Sequence, residues 1–191
     1  ENGTVGRAQY RLTVTPRVDR FVPSRSELAS ILSLDVDELD GVQEFRPLLV
    51  AAPQPYLVLA LKDHQAVKRA RFDFNSWSHS SAPSMLAQEI LLVANHAENL
   101  VADFHCRLLG PGIGVNEAPP VGAAIPALAA WLCDHEHIRR GTYPLMVERG
   151  SQDSRRSLLQ VEIDNQGKEH LQMRIGGNAT LVSEGRIRLP E

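Results

Sequence analysis

One segment, from Val121 to His135, constrains the fold of this 191-residue chain more than any other part of the sequence. The predicted helix there is apolar on nearly every face, and a helix that is apolar all round is buried all round. The segment is also shorter than the roughly 20 apolar residues of a membrane span. The sequence therefore predicts a buried core helix, with the rest of the chain packed around it.

The chain on both sides of this helix has the alternating pattern of short β-strands. Short helices are predicted from Ser24 or Ser26 to Leu34, over 62–70 and over 83–89, and residues 72–81 are expected to be irregular. Strands are predicted at 8–15, 45–52, 56–61, 90–94, 101–109, 145–149, 157–163, 171–175, 179–183 and 186–189. Many strands without regular alternation with helices indicate an α+β fold. We expect a curved, mainly antiparallel, barrel-like sheet wrapped around the central apolar helix.

Composition excludes several classes of protein. With 20 basic and 23 acidic residues the net charge is −3, and no basic stripe of the kind that binds nucleic acid stands out. Having only two cysteines, Cys106 and Cys133, excludes a disulfide scaffold and a multi-cysteine zinc site. They are interpreted as buried thiols, with a lone pair as the alternative. We expect a cytoplasmic protein with no metal, no cofactor and no nucleic-acid or membrane partner.

A loop rich in glycine and proline, residues 110–120, leads into the apolar helix. The first backbone N–H groups of a helix have no internal partner and lie at the positive end of its dipole. Here they belong to Val121, Gly122, Ala123 and Ala124, whose small side chains leave room for a carboxylate or phosphate. The alternative interpretation is a tight turn that only packs a core helix. No Lys-Ser/Thr pair follows the glycine, so the loop is not a P-loop.

Other reactive side chains offer weaker patterns. Glu117 is the one carboxylate of the loop and is a candidate general base or acid, or else a solvated surface residue. His135 and His137 are two positions apart, lack a third metal ligand and are interpreted as a polar helix end. The sequence has no Gly-x-Ser-x-Gly elbow, Rossmann glycine pattern or His-Glu-x-x-His motif.

Residues 114–128 read Gly-Val-Asn-Glu-Ala-Pro-Pro-Val-Gly-Ala-Ala-Ile-Pro-Ala-Leu. They resemble the G-x-x-E-D-x-A-T-G-S-A-x-G-x-L segment before the central helix of the PhzF-like family, relatives of diaminopimelate epimerase. Residues 107–111, 155–158 and 173–189 are similar to the family's R-x-F-x-P, G-R-P-S-L and V-x-V-G-G-x-A … G-x-L motifs. The resemblance implies a diaminopimelate epimerase-like half, matching the family's C-terminal domain.

The resemblance also implies a function in small-molecule, secondary-metabolite biosynthesis. Such isomerases have two similar domains with a site between them, where a first-domain carboxylate moves a proton and helix N-termini hold the substrate's carboxylate. On this comparison residues 1–22 are the tail of a missing first domain, and residues 23–191 are the second domain, whose last strand is expected to pack toward the missing one. The expected partners are a small carboxylate ligand and either a second copy of the chain or a chain that supplies the first domain.

Several motif residues differ from the family pattern. Ala118, Val121 and Ala123 replace its Asp, Thr and Ser, and residues 52–55 replace an Asn-Gly-Pro-Arg loop. Val121 lacks a hydroxyl to cap the helix, and Ala123 lacks one to bind an anion. Two hypotheses follow: an isomerase that is incomplete without its first domain, or a degenerate member that binds a ligand or scaffolds a partner. The candidate site residues are Glu117 for catalysis and Asn116, Ala118, Val121, Gly122, Ala123 and Ala124 for ligand binding.

Overall fold

The computed structural model describes residues 5–39, 45–87, 89–95, 101–114, 119–150, 156–167, 169–181 and 183–186. Four α-helices lie within them, α1 Arg25–Leu32, α2 His64–Arg69, α3 Phe74–Ser78 and α4 Ile125–Asp134. Short 3₁₀ turns lie at Val36–Leu39, Ala82–Ser84 and Gly122–Ala124. The strands are β1 Val5–Val14, β2 Arg17–Asp19, β3 Leu48–Ala51, β4 Pro55–Ala60, β5 Glu89–Asn95, β6 Phe104–Leu109, β7 Gly141–Arg149, β8 Ser157–Asn165 and β9 Leu171–Thr180.

These strands form one mixed sheet in the order β1-β9-β8-β7-β6-β5-β4-β3-β2. The β4–β5 and β6–β7 pairs are parallel and the other pairs are antiparallel. The predicted α+β class and mainly antiparallel sheet are therefore confirmed. The barrel-like closure is wrong, because β1 and β2 lie at opposite ends of the sheet and each pairs with one neighbour.

Two hydrophobic clusters lie on opposite faces of the sheet. On one face α4 packs against β3, β4 and β9, and its residues from Ile125 to Leu132 are all buried. On the other face α1 and α2 cover β3 to β6. The outer side chains of β8 and β9, such as Glu162 and Arg174, are only half-buried. Wrapping of the whole sheet around a central helix stays a prediction.

Local capping explains which short helices form. Of the two predicted starts of α1, Ser24 is the one that the structure shows, and it makes a reciprocal capping box with Glu27. Asp63 caps α2 and Asp73 caps α3, each by accepting a backbone N–H three residues on. The expectation of irregular structure over 72–81 is wrong at α3. The sequence signal for this helix is weak, because it has only five residues and buries none of them.

The C-terminal strand also departs from the prediction. The strand expected at 171–175 continues to Thr180 as β9, because Gly176 and Gly177 keep the pairing with β1. The strand expected at 179–183 is therefore not separate, and Leu181 and Ser183 lie beyond the end of β9. Arg186 is not in a strand, and residues 187–191 lie outside the described ranges. Both β1 and β2 belong to the same sheet as the later strands, while the division after residue 22 stays a prediction. No helix within the described ranges combines the length and apolarity needed to cross a membrane.

Candidate functional site

The apolar helix begins later than predicted. A 3₁₀ turn covers Gly122–Ala124, and α4 starts at Ile125 with Pro126 in its first turn, where proline is favoured. The N–H of Ala124 donates to the Val121 carbonyl at 2.9 Å, and the N–H of Ile125 donates to the Gly122 carbonyl. Of the four expected donors, Ala124 is therefore already engaged within the turn.

The opening of this helix is accessible to solvent on one side. Val121 and Ala124 are buried, whereas Gly122 is half-buried and Ala123 is exposed. A Cβ atom added at Gly122 would meet its nearest heavy atom, the Tyr10 hydroxyl oxygen, at 4.0 Å. The backbone at Gly122 and Ala123 is thus open to the approach of a small group.

Tyr10 is the residue at this opening that sequence reasoning missed. It lies on β1 opposite Ile175 of β9, and its hydroxyl donates to the Gly122 carbonyl at 3.4 Å. Its side chain is 51% exposed, and partial burial raises the pKa of its phenol. The available signal was the strand alternation, which places Tyr10 on the same face as Leu12 and Val14 of the core.

The structure does not test the predicted acidic part of the site. Asn116, Glu117 and Ala118 fall outside the described residues, so the structure brings only Val121, Gly122, Ala123 and Ala124 together. Their assigned roles stay predictions.

A cleft lies at the other end of α4. It has a volume of about 490 Å³ and is lined by Arg20, Val22, Arg46, Pro47, Leu48, Asp134, His135 and Glu136. Arg20 pairs with Asp134 at 3.3 Å across it. Charged groups of both signs line this cleft, and it contains none of the predicted site residues.

His135 at this end has a structural role. Its Nδ1 lies 2.8 Å from the Trp131 carbonyl, and its Nε2 accepts the Arg46 N–H at 2.9 Å, which fixes a neutral imidazole protonated on Nδ1. The rings of His135 and His137 each contact Phe45 edge-on at 5.5 Å. Across the described parts of the chain, no three His, Cys, Asp or Glu side chains are placed to hold a metal ion.

The two cysteines are not bonded to each other. Cys106 is fully buried, and burial raises the pKa of its thiol. Burial also raises the pKa of Cys133 to about 11, although Asn165 donates a hydrogen bond to its sulfur. Both are protonated at neutral pH and neither is an activated nucleophile.

Comparison with known proteins decides the family. The model of the phenazine biosynthesis-like proteins, PhzC-PhzF, matches residues 4–185. The chain belongs to this family. A solved PhzF-family phenazine biosynthesis protein from Bacillus anthracis has the same fold, with a TM-score of 0.73 at 16% identity. That similarity covers 91% of this PhzF-like chain and 59% of the Bacillus chain.

Two curated relatives carry the description of an uncharacterized isomerase. The protein from Mesorhizobium japonicum is 25% identical over 94% of this chain and 60% of its own length. The protein from Clostridium acetobutylicum is 21% identical over 82% of this chain and 52% of its own length. The PhzF-like chain thus spans between half and three fifths of the relatives it matches.

Proposed function

We propose that the chain is the second half of a PhzF-like isomerase or epimerase that moves a proton on a small carboxylic acid in secondary-metabolite biosynthesis. The observation that carries this proposal is the family match over residues 4–185, supported by relatives described as isomerases. Because those relatives are longer, the proposed activity requires a first domain from another part of the protein or from a partner. A second copy of this chain is the alternative partner.

The proposed site lies at the start of α4. The substrate's carboxylate would bind the exposed backbone at Gly122 and Ala123, near the positive end of the helix dipole. Tyr10 would contact the bound ligand, since its hydroxyl lies over Gly122. Glu117 is assigned the role of proton donor or acceptor, with Asn116 and Ala118 beside it. Ala123 would border the ligand without adding a polar contact, while the buried Val121 and Ala124 would shape the turn that presents the backbone.

A second candidate is a degenerate member that binds a ligand or scaffolds a partner without catalysis. It is favoured by the replacement of three polar family residues at one site by Ala118, Val121 and Ala123. Loss of the aspartate and both hydroxyls removes hydrogen-bonding groups that a proton-transfer site uses. The backbone at Gly122 and Ala123 would remain for contact with an anion.

Proton exchange in D₂O separates the two candidates. This chain is assayed together with a first domain, in the longer protein or in the complex that the proposal requires. The assembly is incubated with a 2,3-dihydro-3-hydroxy aromatic acid, and deuterium incorporation at carbon is followed by proton NMR. Exchange that is lost in Glu117→Gln but retained in the exposed control Glu184→Gln supports the isomerase. If the acid binds without exchange, and the triple variant Ala118→Asp, Val121→Thr, Ala123→Ser gains exchange, the degenerate member is supported. Absence of both binding and exchange contradicts both.

The binding position has its own matched pair of variants. Gly122→Val should weaken binding of the acid at least tenfold, because the valine side chain would occupy the open space beside the backbone at the start of α4. Gly112→Val is the control, since an added Cβ there meets no atom within 4 Å. Equal affinity of both variants in titration calorimetry would place the ligand elsewhere.

Sedimentation of the unmodified chain tests whether a second copy of the chain is its partner, and a strict monomer at micromolar concentration argues against it.

A further inference from the structure

The parallel pairing of β6 with β7 is the narrowest junction inside the sheet. Within the described residues it has three register pairs, Phe104 with Val147, His105 with Glu148 and Cys106 with Arg149. The β2–β3 pair is equally short, but β2 is an edge strand, and every other pair of strands has four or more. This junction divides the sheet into two parts. One part contains β2 to β6, and the other contains β7, β8, β9 and β1.

A buried polar pair spans the junction on the face away from α4. The His105 Nδ1 lies 3.2 Å from a Glu148 carboxylate oxygen, and the two side chains are 1% and 5% exposed. Nδ1–H therefore donates to the carboxylate. The other ring nitrogen, Nε2, is buried and has no hydrogen-bond partner among the described residues. A proton added at Nε2 would be buried without an acceptor, which is costly.

The charged groups around His105 come from three elements. Glu148 of β7 favours the protonated ring, whereas Lys68 and His64 of α2 disfavour it, with the His64 ring at 6.4 Å. Arg107, two residues along β6, donates to the carbonyls at the end of α2. Burial outweighs the carboxylate and lowers the pKa of His105 below its usual value of 6.5. The closed junction therefore holds His105 neutral, and an open one would let it take up a proton.

We propose that the His105–Glu148 pair is an acid-sensitive latch, so that opening of the β6–β7 junction takes up a proton at His105 and becomes easier as the pH falls. On the opposite face α4 contacts β3 and β4 on one side of the junction and β9 on the other. Because α4 holds the two parts of the sheet together, the proposed opening is local. Cys106 pairs with Arg149 inside the junction and is fully buried, so its thiol reports the opening.

The test is thiol labelling of Cys106 in a Cys133→Ser background. Rates with 4,4′-dithiodipyridine are measured from pH 7.5 to 5.0 and divided by the rate for glutathione at each pH. One proton taken up on opening raises the normalised rate by up to about tenfold per pH unit below about 6.5. His105→Gln can still bond Glu148 but does not titrate, so its profile should be flat. His79→Gln, an exposed histidine on the edge of α3, should keep the wild-type rise.

Each other outcome overturns the latch. A flat profile in the unmodified His105 protein, or the same rise in His105→Gln, shows that His105 does not control the opening. If Cys133, labelled in a Cys106→Ser background, rises equally, the opening is global. Should His105→Gln fail to fold, hydrogen exchange of the His105 protein decides. Amides of 104–106 and 145–149 must lose protection below pH 6.5 while those of 171–175 keep it, and equal loss in both sets rejects the proposal.

Discussion

The indole N–H of Trp131, in the middle of α4, donates to the backbone carbonyl of Arg46 at 2.9 Å. The N–H of Arg46 in turn donates to the ring of His135, the residue that caps the C-terminal end of α4. Phe45 stacks on Trp131 with ring centroids 4.6 Å apart. Both backbone groups of Arg46 are thus bound to α4, and the chain entering β3 is fixed to the core helix.

Replacing Trp131 by Phe should therefore lower the free energy of unfolding by about 1–3 kcal/mol, since the Arg46 carbonyl loses its donor and the smaller ring leaves a cavity. Urea denaturation followed by circular dichroism measures the loss. Trp77→Phe is the control, because Trp77 is only half-buried on α3, and a change within about 0.5 kcal/mol is expected there. Equal effects of the two substitutions would contradict a specific role for the Trp131 hydrogen bond.

Gly176 of β9 lies so close to the backbone of β1 that it leaves no room for a side chain. An added Cβ would lie 2.5 Å from the Ala8 carbonyl oxygen and 3.0 Å from the Gln9 Cβ. Gly176→Ala should destabilise the protein by about 1–3 kcal/mol through overpacking. Gly6→Ala on β1 is the matched control, because its Cβ would meet nothing within 4 Å. Thermal unfolding of the pair checks this, and a Gly176→Ala midpoint no lower than that of Gly6→Ala would disprove it.

Sequence patterns predicted the elements whose signals are local. The Ser24 cap, the alternation of the strands and the apolar run of α4 each lie within one short window of sequence. The closure of the barrel was mistaken, because strand periodicity does not specify whether the two edge strands meet. Tyr10 was missed as a neighbour of Gly122 for a related reason, since 112 positions separate them and only the folded sheet joins them.

Arg107 illustrates the same limit, because the family motif alone gave no role for its side chain. Its guanidinium donates to the carbonyls of Val67, Lys68 and Ala70 at 3.1, 3.0 and 2.9 Å, where α2 ends. Burial lowers its pKa, and Arg71 adds to the effect. The contact ties β6 to a helix about 40 positions earlier.

Arg107→Met should therefore lower the free energy of unfolding by about 2–3 kcal/mol, because three helix-end carbonyls lose a charged donor. Arg107→Lys keeps the charge without the planar guanidinium, so its free energy of unfolding should lie between those of the wild type and Arg107→Met. Arg20→Met, which removes a 72% exposed arginine paired with Asp134, should cost less than about 1 kcal/mol. Hydrogen exchange of α2 should accelerate only in the Arg107 variants. Unchanged protection of α2 in Arg107→Met would refute this role.

Glu27 gives a prediction about acid stability. Its carboxylate accepts the Ser24 hydroxyl at 2.7 Å and the backbone N–H groups of Ser24 and Ser81 at 2.8 Å each. These bonds, led by the Ser24 side chain, lower the pKa of Glu27 from 4.5 to about 2. A lowered carboxyl pKa contributes stability that is present above pH 4.5 and is lost as the pH falls from 4.5 toward 2. The stability advantage of the wild type over Glu27→Gln should therefore shrink across that range.

Two measurements check this advantage. Urea denaturation of both proteins at pH 6 and pH 3 gives the difference in unfolding free energy, and comparison with Glu27→Gln cancels the titration of all other groups. The exposed Glu169→Gln serves as control and should show a difference that does not change with pH. Carbon-detected NMR of the Glu27 carboxyl should give a midpoint near pH 2. A midpoint near 4.5 would show that the capping hydrogen bonds do not favour the ionised form.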